Sequence, residues 1–248
     1  MNLASCPVCG SEKGELLRPP HPTRSVTSGG IIVEIPLQKI QCPDCGVLRQ
    51  RPHQEEAKIE FYRDKYELYH QRPGTSESEL ARYTAIADWI FAELSPFTPQ
   101  TVLDVGCGGG FLLDALMRNH PTAVYAGIDP SIQNSALARA RGFSVVTGFT
   151  PGTSPPHERY DLVLASHVIS HVADPLSFLS ALVNMIAEYG RVVIFSHDGR
   201  DPGADHLFAD VEFSFCREIL VRSERRWGWN CWKALVSLAR KVSSTNRF

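Results

Sequence analysis

The stretch TVLDVGCGGGFLLDAL, residues 101–116, decides how the chain folds. A short apolar run carries one acid, Asp104, passes through Gly106, Gly108 and Gly110, and resumes with helical periodicity. A strand that turns into a helix through glycines lets a ligand approach the bare backbone. The same alternation repeats downstream. Apolar runs at 101–105, 123–129, 143–147, 161–165 and 191–196 are separated by helical stretches near 111–119, 131–141 and 175–188. Ser131 caps the second of these helices and Gly142 follows its end, while Asp174 and Pro175 open the third. Continuously apolar strands alternating with helices predict an α/β fold, a doubly wound, mostly parallel, Rossmann-like sheet covered on both faces.

A dinucleotide fingerprint would need its third glycine at position 111, where Phe111 stands. The loop reads Asp104-x-Gly106-x-Gly108-x-Gly110 instead. With the strand order around it, that pattern resembles the class I S-adenosylmethionine-dependent methyltransferases. The resemblance implies that the backbone of Gly106, Cys107, Gly108 and Gly110 passes under the methionine part and ribose of the cofactor. It also implies that Asp104 helps to hold the amino end, and an ammonium does seek a carboxylate. Asp129 closes the next strand, followed by Pro130, and is suited to accept the ribose hydroxyl protons. Taken alone, an acid there is equally a helix cap. The adenine is expected near Phe149 and Thr150, where family members often carry an acid that this chain lacks. Phe149 could stack on the base or fill the core.

YDLVLASHVISHVADPLSFL, residues 160–179, looks like the family's fourth strand and the pocket segment after it. Ser166 and His167 are expected to face the cofactor. His171 matches a pocket histidine and is the first candidate for a general base, followed by His197 and His206 after the fifth strand. A packed, hydrogen-bonded role for His171 stays open. Tyr62, Tyr66 and Tyr69 lie with Ile59 on one stripe of an expected helix over 55–70, either closing the pocket or packing. A second amphipathic helix is expected to begin at a capping box, Ser76 to Glu79.

Two C-x-x-C-G knuckles precede all this, at 6–10 and 42–46. Each offers two thiolates, and together Cys6, Cys9, Cys42 and Cys45 form a closed set for a structural Zn²⁺. Two disulfides or a redox pair fit the paired pattern less well. The wording IPLQKIQCPDCGVLRQ resembles the zinc-binding head of bacterial sugar methyltransferases, which act on nucleotide-linked deoxysugars or polysaccharide units. The resemblance spans residues 6 to about 197 and implies a small, sugar-containing acceptor. The C-methylating members continue into a further domain, which is not expected in this chain.

The expected organisation is a zinc module over 1–53, a helical linker or lid over 54–98, a methyltransferase core over 99–215 and a basic, Trp-rich segment over 216–248. That last segment holds eight Lys or Arg against Glu218 and Glu224, and three of the four tryptophans. Nucleic acid, or an anionic surface met by an amphipathic helix, could be its partner. A net charge of −2 argues against a surface wholly devoted to nucleic acid. An RNA methyltransferase and a cofactor-binding homologue without activity are the alternatives to a small-molecule enzyme. No apolar run reaches membrane-spanning length and the first residues do not read as a signal, so a cytoplasmic location is expected.

Overall fold

The computed structural model describes all residues except 1–4, 18–22, 29, 35, 52–59, 67–76, 198–206, 216–233 and 240–248. Its centre is a sheet built from β6 (Thr101–Val105), β7 (Val124–Asp129), β8 (Ser144–Thr147), β9 (Tyr160–Ser166), β10 (Ile186–His197) and β12 (Ala234–Ala239). The spatial order is β12-β10-β9-β6-β7-β8, and every neighbouring pair is parallel. The winding reverses between β6 and β9, so the crevice beyond their carboxyl ends is the place for a ligand. Helices α1 (Glu77–Leu94), α2 (Phe111–Asn119), α3 (Ile132–Ala140) and α4 (Pro175–Asn184) cover the sheet.

Strand alternation divides the core into two layers. Leu103, Val105, Ala126, Ile128, Val163 and Ala165 face one side with Phe178, Leu179 and Leu182 of α4. Val102, Leu162, Leu164 and Val193 face the other with Ile86, Ala87, Ile90 and Leu94 of α1 and the apolar stripe of α2. No helix among the described residues is long and apolar enough to cross a membrane.

The N-terminal part folds as short strands: β1 (Glu15–Leu16), β4 (Gln38–Gln41) and β5 (Leu48–Arg51), with a separate hairpin of β2 (Ser25–Val26) and β3 (Ile32–Val33). The sheet is completed from a distance. Strand β11 (Phe213–Ser214), from beyond β10, pairs antiparallel with β5. Cys6, Val8, Cys42 and Val47 belong to the same core cluster as the β6 and β9 residues. The cysteine-bearing part is thus packed onto one face of the main sheet, and the segment expected to end the core at 215 lies in the module's sheet.

Two local expectations change. Of the helix expected over 55–70, the described residues form a single π-type turn, Phe61–Lys65, after which Tyr66 is extended; residues 55–59 and 67–70, with Ile59 and Tyr69, lie outside the described residues. The helix expected to reach 188 stops at Asn184, because Ile186 already pairs with Tyr160 of β9. Gly190 permits that early start, since a Cβ there would come within 2.8 Å of the Tyr160 and Asp161 carbonyls. Residues 234–239, at the far side of the basic segment, form strand β12, and the stretch 216–233 that an amphipathic helix was expected to occupy lies outside the described residues.

Candidate active site

Strands β6 and β7 end at two buried carboxylates. Burial raises the pKa of Asp104 to about 7, the charge of Asp129 adding to the effect. Burial likewise raises Asp129 to about 6, opposed by backbone donors. Those donors are the Gly108 N–H at 2.8 Å and the Ser131 N–H at 2.9 Å. Asp104 has no such relief: its Oδ1 is buried without a hydrogen-bond partner. An isolated buried acceptor is costly and invites a cation or donor from a ligand.

The loop between them needs glycine. Gly106 has φ 80° and Gly110, the N-cap of α2, has φ 81°, both in the left-handed region. A Cβ on Gly106 would run into Val168. Beyond this loop lies a cavity of about 490 Å³, lined by Gly106, Pro130, Phe149, Thr150, Val168 and His171 together with mostly apolar neighbours, among them Val105, Ile128, Val172 and Phe178. Thr150 Oγ1 is a second buried polar atom without a partner. A groove offering bare backbone and an unpaired hydroxyl, with an uncompensated carboxylate buried beside it, fits a ligand with an ammonium, a ribose and a heteroaromatic base. The residues present therefore fit S-adenosylmethionine.

His171 sits in a turn closed by its own N–H to the Val168 carbonyl. Its Nδ1 is 2.8 Å from the Asp210 backbone carbonyl and 3.0 Å from the Tyr62 hydroxyl. The Asp210 carboxylate follows at 3.7 Å, and its side chain is 3% exposed. Ser28 holds that carboxylate, its N–H donating to Oδ1 at 2.7 Å and its hydroxyl donating to Oδ2 at 2.5 Å. Burial, helped by Asp210, pushes the Tyr62 phenol well up, which keeps it a neutral hydrogen-bonding group.

The four cysteines converge. All four Sγ atoms lie within 4.8 Å of one another, Cys6 to Cys45 at 3.7 Å and Cys9 to Cys42 at 3.6 Å. Zn–S bonds of about 2.3 Å in a tetrahedron place sulfurs about 3.8 Å apart, so this set could hold such an ion. Both knuckles share one turn, Gly10 N–H to the Cys6 carbonyl and Gly46 N–H to the Cys42 carbonyl, each at 2.7 Å. Among the described residues no other group of His, Cys, Asp and Glu is arranged this way.

Of the expected site residues, Gly106, Pro130, Phe149, Thr150 and His171 line the cavity. Asp104, Gly108, Gly110 and Asp129 are buried beside it. Cys107 is a core residue: a Cβ on Gly127 would lie 2.5 Å from its sulfur, and burial pushes its thiol well up. Ser166 ends β9 and His167 follows it, but neither lines the cavity. His167 turns away with φ 58°, its N–H on the Phe195 carbonyl at 2.6 Å and its ring edge-on to Phe195. Val168 takes the place at the wall. His197 ends β10, while its side chain and all of His206 lie outside the described residues. Asp210 and Ser28 were not legible as site residues. The signal for Asp210 is FADVEF, 208–213, an apolar run with acids at the alternate positions 210 and 212; Ser28 has none.

The methyltransferase domain model matches residues 78–234, well over half of the chain. An O-methyltransferase of ubiquinone biosynthesis from Pseudomonas savastanoi pv. phaseolicola is 36% identical over 177 residues, covering 60% of this chain and 74% of that one. One from Pseudomonas fluorescens SBW25 is 31% identical over 170 residues, covering 64% and 71%. One from Aeromonas salmonicida is 31% identical over 123 residues, where this chain spans only 51% of its relative's length. Among solved structures, the plantazolicin methyltransferase BpumL, in complex with a pentazolic substrate analogue and S-adenosylhomocysteine, shares the fold. The TM-score is 0.53 at 16% identity, over 61% of this chain and 65% of that one. A putative O-methyltransferase from Nostoc punctiforme gives 0.51 at 18% identity, over 62% and 52%. The glycine loop, the paired carboxylates and the extent of the family match lead to one conclusion: the chain belongs to the methyltransferase domain family and is an S-adenosylmethionine-dependent methyltransferase.

Proposed function

We propose that this protein methylates a hydroxyl on a small molecule carrying an apolar ring, with His171 as the base. The observation that carries the reading is His171 at the wall of a mostly apolar cavity, its Nδ1 occupied by a carbonyl. A carbonyl can only accept, so Nδ1 carries the hydrogen and Nε2 keeps its lone pair for the acceptor. Bound S-adenosylmethionine supplies an electrophilic methyl group, and the protein's task is alignment, dryness and removal of one proton. Asp104 holds the amino end, Asp129 the ribose, and Phe149, Thr150 and Pro130 the base. Gly106, Gly108 and Gly110 give backbone room. Cys6, Cys9, Cys42 and Cys45 hold a structural Zn²⁺, which takes no part in the transfer.

An imidazole of pKa ~6.5 takes the proton of a phenol of pKa ~10 at moderate cost. An alkyl hydroxyl, nearer water's ~15.7, demands far more. The apolar lining agrees with a phenolic acceptor, and the O-methyltransferase relatives agree with transfer to oxygen. A sugar-containing acceptor is the second reading, favoured by the cysteine knuckles and by the polar groups of Asp174, Ser177 and Tyr62 at the cavity.

The test offers S-adenosylmethionine with a 4-alkylcatechol or with a nucleotide-linked deoxysugar, following S-adenosylhomocysteine release and product mass. The catechol is expected to gain one methyl on oxygen. His171→Ala is expected to slow turnover by about 100-fold or more, a usual range for a lost general base, with S-adenosylhomocysteine affinity unchanged. Turnover of the sugar alone would select the second reading. Full activity in His171→Ala would remove the base assignment.

A further inference from the structure

Resting on the reading of His171 as base, we infer that Asp210 is its positioning residue and that the cysteine-bearing module holds Asp210 in place. Two groups of one residue meet the imidazole. The Asp210 backbone carbonyl fixes the hydrogen on Nδ1, at 2.8 Å. The Asp210 carboxylate, 3.7 Å from the same nitrogen, opposes the positive charge that develops when Nε2 takes a proton. Tyr62 completes the arrangement by sharing the Nδ1 hydrogen and directing its own O–H toward the Asp210 carbonyl at 3.4 Å. Tyr66, its ring tilted by 55° against Tyr62 with centroids 4.9 Å apart, is the next titratable group, and burial pushes it too above the usual tyrosine range. Neither phenol is ionised near neutrality, and Asp210 contributes the one carboxyl group beside the ring among these groups.

What holds Asp210 is foreign to the methyltransferase sheet. Both carboxylate oxygens are engaged by Ser28, in the turn between β2 and β3. The same turn is tied down by the Ala209 N–H on the Val26 carbonyl, 2.9 Å. On the other side, the Glu212 and Phe213 N–H groups both donate to the Ser170 carbonyl, next to His171, at 2.7 and 3.0 Å. Residues 209–213 are thus a strip clamped between the module and the histidine turn. The module contributes to turnover by fixing the orientation of the base, through a residue that touches neither cofactor nor acceptor.

The experiment joins a spectroscopic and a kinetic reading on the full-length, metal-replete protein. Ring ¹⁵N shifts of His171, assigned by difference with His171→Gln, are expected to show the neutral Nδ1–H form. Asp210→Asn keeps the shape and can still meet Ser28, but removes the charge. It is expected to lower kcat on the accepted substrate by about 10- to 100-fold, with KM and S-adenosylhomocysteine affinity unchanged and Asp210→Glu recovering part of the rate. Ser28→Ala, on an exposed residue, is expected to lower kcat several-fold in the same sense, and decides the matter if Asp210→Asn does not fold. An Nε2–H form in the wild type overturns the inference, as does wild-type kcat in Asp210→Asn or, where that variant is unfolded, in Ser28→Ala. The ¹⁵N reading needs no turnover. A failure of His171 as base, shown by an active His171→Ala, is therefore seen separately from a failure of Asp210 to orient it.

Discussion

Asp104 is a buried acid waiting for a cation. Its pKa of about 7 means that it is partly protonated at neutrality, and binding an ammonium requires it ionised. Affinity for S-adenosylhomocysteine is therefore expected to rise about tenfold from pH 6 to pH 8, the change in ionised fraction for one group of that pKa. The protein alone should behave in the opposite sense. With folded pKa values of Asp104 and Asp129 above their unfolded ones, protonation stabilises the folded state at low pH, and that contribution is lost as pH rises through about 6 to 7. Calorimetric titration and thermal melts at the two pH values check both, and Asp104→Asn should flatten the affinity profile. At this scale the sequence was informative wherever partners are close along the chain. Asp104 and its glycines, and Ser131 capping α3 through the Asn134 N–H, were readable because local geometry specifies them. Asp210 was not, because the groups that give it meaning lie 182 residues away at Ser28 and 39 away at His171.

At the scale of elements, the loop from β6 to α2 sets the limit on substitution. Gly106→Ala would impose a left-handed φ on a residue with a Cβ and drive that Cβ into Val168. A loss of about 1–3 kcal/mol is expected, with S-adenosylhomocysteine binding lost by more than tenfold. Urea unfolding and titration measure the two effects separately. Sequence periodicity placed β6 to β9 and α2 to within a residue or two, since those elements carry uninterrupted apolar patterns. It overextended α4 and the tyrosine-bearing helix. Helical spacing of apolar residues is satisfied equally by a strand that begins early, as at Ile186, and by a turn that packs three aromatic rings, as at Phe61, Tyr62 and Tyr66.

On the scale of the whole molecule, the cysteine cluster shares its apolar core with the main sheet. Chelation of a bound metal, or Cys42→Ser, is expected to destabilise the whole protein and not only its N-terminal part. A single cooperative transition lowered by roughly 10 °C, corresponding to about 3 kcal/mol for a chain of this size, is the expected melt. Metal content measured by atomic emission should fall in parallel. Two separate transitions would mean that the shared core does not couple the two parts. The doubly wound architecture was legible because strand and helix alternate in register with the chain. The way the module docks was not, since the pairing of β5 with β11 joins segments more than 160 residues apart.

That pairing redefines what a graft would have to carry. A chimera that moved residues 1–53 alone onto a related enzyme would leave β5 without its neighbour and the Ser28 turn without its acid. The transferable unit is discontinuous: the N-terminal strands together with the strip from Leu207 to Phe215. An exchange that honours both pieces should keep the histidine oriented, whereas one that follows chain order should yield a folded scaffold with an unaligned base.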